Sequence, residues 1–328
     1  MSFDPYSFER MHEAGGRSYK IKIETSTRPE DYAKYDLLRE AIWRFPEDHL
    51  AGTRNLMCEN FLNDGSSLFL AAYVGEDSGV FPEDEEHLAG FTYGFAGIRD
   101  KARGFASPGN LWFYAQFAGV RLGCEGSGLG VRLKECQREI LLDGWGIDEV
   151  VCTYDPLTGV NARRNVHHFG MAVREYRVST YGAYGGRLNR EDVPTDRFFM
   201  SWDLRKPAAG PGAKGIGFPP KARPVFSVET VTVPGRSGPA DMEVIRSESM
   251  EGDDPAVLVR IPNDFYRMLQ ETDVDDPAVR RIPLDWRIRT RRVFRALFDR
   301  GYRVEDFLRG AGPCPENAYL LKKEENVL

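Results

Sequence analysis

Glycine stands at every other position from Gly126 to Gly130, and from within that run Leu129, Leu133, Cys136, Ile140 and Gly144 recur at steps of three and four residues. Arg132, Lys134, Glu135, Arg138, Glu139 and Asp143 fill most of the remaining surface, so the spacing predicts an amphipathic helix that leaves a glycine turn. Upstream, Leu111 to Val120 is apolar on both alternating faces, the pattern of a strand buried on both sides. Downstream, Gly144, Trp145 and Gly146 close the helix, and Glu149 to Tyr154 reads as a strand ended by Pro156.

A strand, a glycine turn and a helix together make an anion-binding device. Glycine lets the backbone bend and lets a ligand come close, and the unpaired N–H groups at the helix start face the anion, helped by the helix dipole. A pyrophosphate is the natural guest. The nucleotide loop G-x-x-x-x-G-K-S/T is excluded, because Gly128 is followed by Leu129 and the lysine is missing. The dinucleotide pattern G-x-G-x-x-G fails as well, since its last position falls on Val131 or, one step later, on Leu133. On spacing alone, a tight turn without a ligand remains open.

Elsewhere the periodicities are coarser. Tyr19 to Ile23 alternates like a strand, and Pro29 to Leu50 places Tyr32, Leu37, Leu38, Ile42 and Trp43 at helical spacing. A second helix is expected from Thr53 to Leu62, and Leu68 to Val74 reads as a buried strand. His87 to Ile98 has the aromatic and small apolar residues of a sheet interior, Asn161 to His168 reads as a short helix capped by Gly170, and Phe198 to Trp202 as one more strand. From Lys206 to Pro224 proline and glycine interrupt every pattern. We therefore expect a first domain over 17–205, a linker over 206–224 and a small α+β domain over 225–328. In the last, Val225 to Val233, Met242 to Ile245, Val257 to Ile261 and Ala318 to Leu321 read as strands and Trp286 to Phe298 as a helix.

Composition narrows the function. The net charge is −6, and Glu83 to Glu86 form a solvated acidic run. Nucleic acid is not an expected partner, because that affinity rests on clustered cations neutralising phosphates. Apolar runs such as Leu68 to Val74 fall far short of the ~20 residues that cross a bilayer, and Met1 to Ala14 is polar, so neither a membrane span nor a signal peptide is expected. Cys58, Cys124, Cys136, Cys152 and Cys314 lie far apart without a C-x-x-C pair, which favours reduced thiols in a cytoplasmic protein over a disulfide framework or a metal site. A homo-oligomer is left open.

The stretch Glu125, Gly126, Ser127, Gly128, Leu129 and Gly130 resembles the acetyl-CoA motif of the GNAT acetyltransferases, Gln/Arg-x-x-Gly-x-Gly/Ala. Further downstream, Thr153 to Leu157, Asn161 with Ala162, Tyr181 with Gly182, Pro194 to Arg197 and Trp202 resemble, in the same order, one branch of that family. The resemblance runs from Tyr19 to Leu204. It implies an α/β (α+β) fold in which a mixed, splayed central sheet is flanked by helices, with the smaller C-terminal α+β unit beside it. It also implies acetyl-CoA or another acyl-CoA as co-substrate, held by Glu125 to Gly130 and by Asn161, with the pantetheine arm pairing against strand backbone at Gly119 and Val120. Glu125 stands where the family usually has Gln or Arg, and Ser127 where a basic residue is common.

The activity so implied is direct N-acyl transfer to an amine, with a small-molecule amine as the expected acceptor. Such a step needs a neutral amine, donors for the developing oxyanion and an acid for the leaving thiolate. The family's tyrosine acid falls on Val166 here, so Tyr154 and Asp155, at the end of a sheet strand, are the expected catalytic pair, with Tyr114 and Gln116 in reserve. An Asp before Pro also organises turns, which is the plainer reading of Asp155. His167 and His168 point apart on one helix, Cys136 belongs to an apolar stripe, and Arg287, Arg289, Arg291, Arg292 and Arg295 read as a solvated helix face. The rival function is a non-catalytic acyl-CoA-binding or regulatory module.

Overall fold

A computed structural model describes residues 7–43, 66–104, 107, 109–183, 185–186, 188–206, 222–309 and 316–324. The helix expected from Thr53 to Leu62, Cys58, Cys314 and most of the proline- and glycine-rich linker lie outside them. The chain divides into two compact units, residues 1–152 with 203–206 and residues 153–202 with 207–328. Among the described residues no helix is long and apolar enough to cross a membrane.

In the first unit, strands β1 (Glu9–Ala14), β2 (Arg17–Ile23), β3 (Ser67–Val74), β4 (Leu88–Ile98), β5 (Leu111–Val120) and the first four residues of β6 (Glu149–Tyr154) follow one another across a sheet. Every pairing up to β5 is antiparallel, while β6 runs parallel to β5. That reversal requires a crossover, supplied by helix α2 (Leu129–Glu139), which widens into a looser last turn at Ile140–Gly144. Strand β1 is absent from the hydrophobic pattern because its residues are polar. Its register follows from Gly15 and Gly16, whose φ values of 58° and 74° close a two-residue hairpin of the kind that matches strand twist.

Helix α1 (Ala33–Trp43) covers an aromatic core. Tyr35 and Leu38 lie over Phe69, Phe91, Tyr93 and Phe117, with Phe91 and Phe117 stacked at 4.6 Å, and each such ring pair adds about 0.5–1.5 kcal/mol beyond its burial. Leu37, expected on the inward stripe, is 46% exposed. Tyr35 takes the inward place because its hydroxyl has partners there, donating to Glu24 and lying 2.8 Å from the Tyr73 hydroxyl. Burial pushes both phenols above their ordinary value and keeps them neutral.

The second unit joins α3 (Gly159–Ala162), continued by Arg163–His168, to the antiparallel pair β7 (Ala172–Arg177) and β8 (Arg197–Asp203). Beyond residue 222 come β9 (Arg223–Pro224), the hairpin of β10 (Phe226–Gly235) and β11 (Gly238–Glu248), and β12 (Ala256–Ile261). Helices α4 (Phe265–Glu271), α5 (Pro277–Arg280) and α6 (Ile282–Asp299) precede β13 (Tyr302–Arg309) and β14 (Asn317–Lys323). Four strands pair in the order β13, β14, β12, β9.

Within this unit, side chains of α6 and β14 pack on residues 153–202. Arg287 is 1% exposed and grips the Asp155 carboxylate with two N–H groups, Nη1 to Oδ1 at 2.8 Å and Nη2 to Oδ2. Arg291 grips Asp196 in the same bidentate way at 2.7 and 2.8 Å, and Tyr176 donates to that carboxylate at 2.7 Å. Phe198 packs on Phe294 at 4.9 Å and on Tyr319 at 5.5 Å. The arginine-rich helix is therefore no solvated face at Arg287; its charge is buried against an acid 132 residues away.

Breaking a buried pair strands the remaining charge, so Asp155→Asn and Arg287→Met should each cost about 3–5 kcal/mol in urea denaturation. A loss below about 1 kcal/mol would show the pair to be dispensable. Burial alone would raise the Asp155 carboxyl, but Arg287 and Arg197 outweigh it and hold it below its ordinary value. A carboxyl lowered on folding stabilises above its unfolded pKa of about 3.9 and loses that contribution as pH falls toward its folded value. Wild-type stability should accordingly fall below about pH 4, more steeply than that of Asp155→Asn.

Candidate functional site

The glycine turn lies in the first unit, between the end of β5 and the start of α2. Arg121 closes β5 by donating its backbone N–H to Ala89 O and its Nε to Leu88 O, both at 2.7 Å. The chain then turns at Gly123, Gly126 and Gly128, with φ values of 88°, 78° and 78°, a region that a side chain strains. Ser127 braces the bend internally: its Oγ donates to Cys124 O at 2.7 Å and accepts from Leu129 N at 3.3 Å. Its position in the motif thus serves the turn's shape and adds no charge. Leu129, 1% exposed, anchors the first helical residue in the core.

Gly128 caps α2 without a side-chain hydrogen bond, and its carbonyl takes the N–H groups of Val131 and Arg132 at 2.9 and 3.0 Å. Among the described residues no acceptor takes the N–H of Gly126, Gly128 or Gly130. Free N–H groups at alternate residues of a turn that mixes left- and right-handed backbone can face an anion, and the helix dipole adds to their pull. Glu125 is exposed and is the only charged side chain from Leu122 to Gly130.

Next to the turn the sheet opens. Strand β5 pairs with β6 only at Phe113 with Val150 and Tyr114 with Val151, so the later part of β5, with Gly119 and Val120, has no pairing to β6. On its other edge, the register with β4 shifts between Tyr93 and Gly94, leaving the exposed Gln116 unmatched in a bulge. Gly119 is crowded there: a Cβ would stand 2.8 Å from Ile42 Cδ1 and 2.9 Å from Phe117 Cζ, and those side-chain ends would have to shift. Gly94 is tighter still, with a Cβ 2.2 Å from Tyr114 O.

The other expected residues belong to the second unit, and their surroundings engage them. Tyr154 is buried with its hydroxyl 3.1 Å from that of Tyr319. Since the Tyr319 proton goes to Pro156 O at 2.8 Å, Tyr154 is the donor of that pair. Asp155 is held by Arg287 and Arg197, and Leu157 N donates to it at 2.9 Å. Asp155 is thus a buried carboxylate paired with two cations and held below its ordinary value, chiefly by Arg287 and Arg197 acting against burial. Asn161 donates to Thr158 Oγ1 at 3.1 Å and accepts from Arg164 at 2.8 Å. Val166 is buried, and His167 meets Asp306 at 3.0 Å rather than a neighbouring histidine.

Sequence reasoning missed the side chains that the β1–β2 hairpin brings to the turn. His12 Nε2 lies 2.9 Å from Ser127 O, and Arg17 Nη1 donates to Gly123 O at 3.1 Å. The paired glycines Gly15 and Gly16 were the available signal for that hairpin.

No family model and no curated protein matches the chain. Among solved structures it is similar to the ribosomal-protein-S5-alanine acetyltransferase of Vibrio fischeri, with 13% identity and a TM-score of 0.43, over 61% of this chain and 100% of that one. It is also similar to YncA of Salmonella typhimurium with acetyl-CoA, with 18% identity and a TM-score of 0.38, over 58% of this chain and 98% of the other. A GNAT-family acetyltransferase of Streptococcus pneumoniae matches at 15% identity and a TM-score of 0.39, over 55% and 97% of the two chains.

The glycines differ in what they tolerate. Gly128→Ala meets only His12 Nε2 at 3.8 Å, so its cost is the left-handed backbone, about 1–2 kcal/mol. Gly94→Ala collides with backbone and should cost more in urea denaturation; the reverse order would contradict this geometry.

Proposed function

We propose that this protein is an N-acyltransferase that moves an acetyl or related acyl group from acyl-CoA directly to the amine of a small molecule. The observation that carries the reading is the glycine turn, with its left-handed Gly126 and Gly128 and its outward N–H groups at the start of α2. A diphosphate suits that concavity, and the resemblance of Glu125 to Gly130 to the acetyl-CoA motif favours CoA as its bearer. The unpaired edge of β5 at Gly119 and Val120 offers backbone groups to a pantetheine arm.

The chemistry asks little of the protein. The amine nitrogen attacks the thioester carbonyl, the C–N bond forms, the C–S bond breaks, and the thiolate takes up the proton that the amine gives up. The bulge at Gln116 leaves backbone groups outside the β4–β5 ladder, where they could serve the developing oxyanion, and Gln116 itself is exposed beside them. Tyr114 is the phenol on the same strand. Neither Val166 nor Asp155 supplies an acid, which favours an acceptor whose own proton serves the leaving thiolate.

Val166, with Glu125 and Ser127 in the glycine turn, motivates the rival reading, an acyl-CoA-binding module without turnover. Calorimetric titration with acetyl-CoA, CoA and succinyl-CoA, followed by assay of amine-dependent thiol release, separates the two. Binding with release is expected. Binding without release across a broad amine panel would favour the module, and no binding to any of the three would end both readings. In the same assay Tyr154→Phe should retain turnover within about threefold, since its hydroxyl bonds inside the second unit; a loss of 10²-fold or more, the scale of a lost general acid, would restore it as the acid.

A further inference from the structure

We propose that the β1–β2 hairpin is a clamp that sets the anion-facing shape of the glycine turn, with His12 and Arg17 as its positioning residues. The inference rests on the acyl-CoA reading and names the groups that orient its phosphate site.

Alternation along β1 puts Arg10, His12 and Ala14 on one face, opposite Ile21, Tyr19 and Arg17 of β2. That face is tied to the turn and its helix at three points. Arg17 takes Gly123 O at 3.1 Å and approaches Cys124 Sγ at 3.7 Å. His12 takes Ser127 O at 2.9 Å, and Arg10 pairs with Glu139 in the last turn of α2. Tyr19, 1% exposed and 5.8 Å from the His12 ring, supports the imidazole from the neighbouring strand.

The consequence follows from peptide geometry. Ser127 O is a carbonyl, so His12 must donate to it from Nε2–H. In a trans peptide the C=O and the following N–H point to opposite sides. Drawing Ser127 O toward the hairpin therefore aims the N–H of Gly128 away from it, into the open side of the turn. Arg17 likewise draws the carbonyl of Gly123 to the hairpin side, where its negative dipole does not oppose an anion. A loop of three left-handed glycines has many alternatives, and without these tethers its carbonyls are free to rotate toward the phosphate position. Arg17 is exposed and has no carboxylate partner among the described residues, whereas Arg10, Arg99 and Arg132 each have one.

The test uses the full chain and two readouts. Without ligand, hydrogen exchange over residues 121–131 should speed up about tenfold in His12→Ala and Arg17→Met, and remain near wild type in His12→Gln, which places an amide N–H where the ring Nε2–H stands. With acetyl-CoA, the alanine and methionine variants should bind about tenfold more weakly and His12→Gln within about threefold, while affinity for S-acetylpantetheine, which lacks the diphosphate, stays within about twofold. Thermal melting identifies any variant that is globally unfolded, and His12→Gln carries the test if one is. Unchanged exchange in both His12→Ala and Arg17→Met overturns the clamp. So does equal loss of affinity for acetyl-CoA and S-acetylpantetheine. If wild type binds no acyl-CoA while exchange still responds, the acyl-CoA reading fails and the phosphate role fails with it.

Discussion

Asp155 and Arg287 are both buried in the second unit, 132 residues apart in sequence. Taking two charges out of water costs several kcal/mol per ion, and the pair is tolerable only with good geometry and satisfied hydrogen bonds. The bidentate grip of Arg287, the second cation Arg197 at 3.5 Å and the backbone N–H of Leu157 meet that condition together. The segment around Asp155 must therefore fold with α6, because either partner alone would leave an uncompensated charge. Asp196 repeats the device one strand on, with Arg291, Tyr176 and the Ser179 N–H as its partners. The acids that punctuate the stretch resembling a family are in both cases fixed by arginines of the C-terminal helix, which gives them an architectural reason to be there.

In the first unit the limiting constraint is conformational. Three glycines at positive φ let the chain leave β5, reverse and start a helix with several N–H groups unpaired. Freedom of that kind carries an entropic cost on folding, so the turn needs other restraints to hold one shape. Ser127 supplies one from within, Leu129 anchors the helix start, and the β1–β2 hairpin braces it from outside. The hairpin is itself held by a two-glycine turn, so glycine both creates the flexibility and positions the strands that limit it.

Much of the central sheet was legible because its strands are apolar on both faces: β3, β4, β5 and β6 fall within a residue of their expected ends. Helix α2 was legible from its stripe, and α1 only in part, since Leu37 was placed inward and Tyr35 was not. Strand β1 was missed because it is polar, and β7 and β13 because charges interrupt their alternation. The arginines of α6 illustrate a deeper limit. A helix dense in arginine reads as solvated unless its acids are known, and those acids, Asp155 and Asp196, lie 132 and 95 residues from Arg287 and Arg291 in sequence. The glycine turn was legible at Gly126 and Gly128, whose requirement is local and belongs to the backbone, but not at Gly123 or in the tethers from the hairpin.

That locality bears on how an anion would be held. Between Leu122 and Gly130 the only charged side chain is acidic, so attraction cannot come from the turn's own side chains. It has to come from oriented N–H groups and the dipole of α2, which act at short range and only if the peptide planes are correctly turned. Recognition through backbone requires no basic side chain at Ser127 or Glu125, provided the fold sets the planes. Diphosphate affinity would then depend on the rigidity of the turn more than on its charge, and the proton transfers of acyl transfer would be a separate matter, settled on β5 and by the acceptor amine. A turn of this construction can keep its anion-facing shape while the side chains around it change.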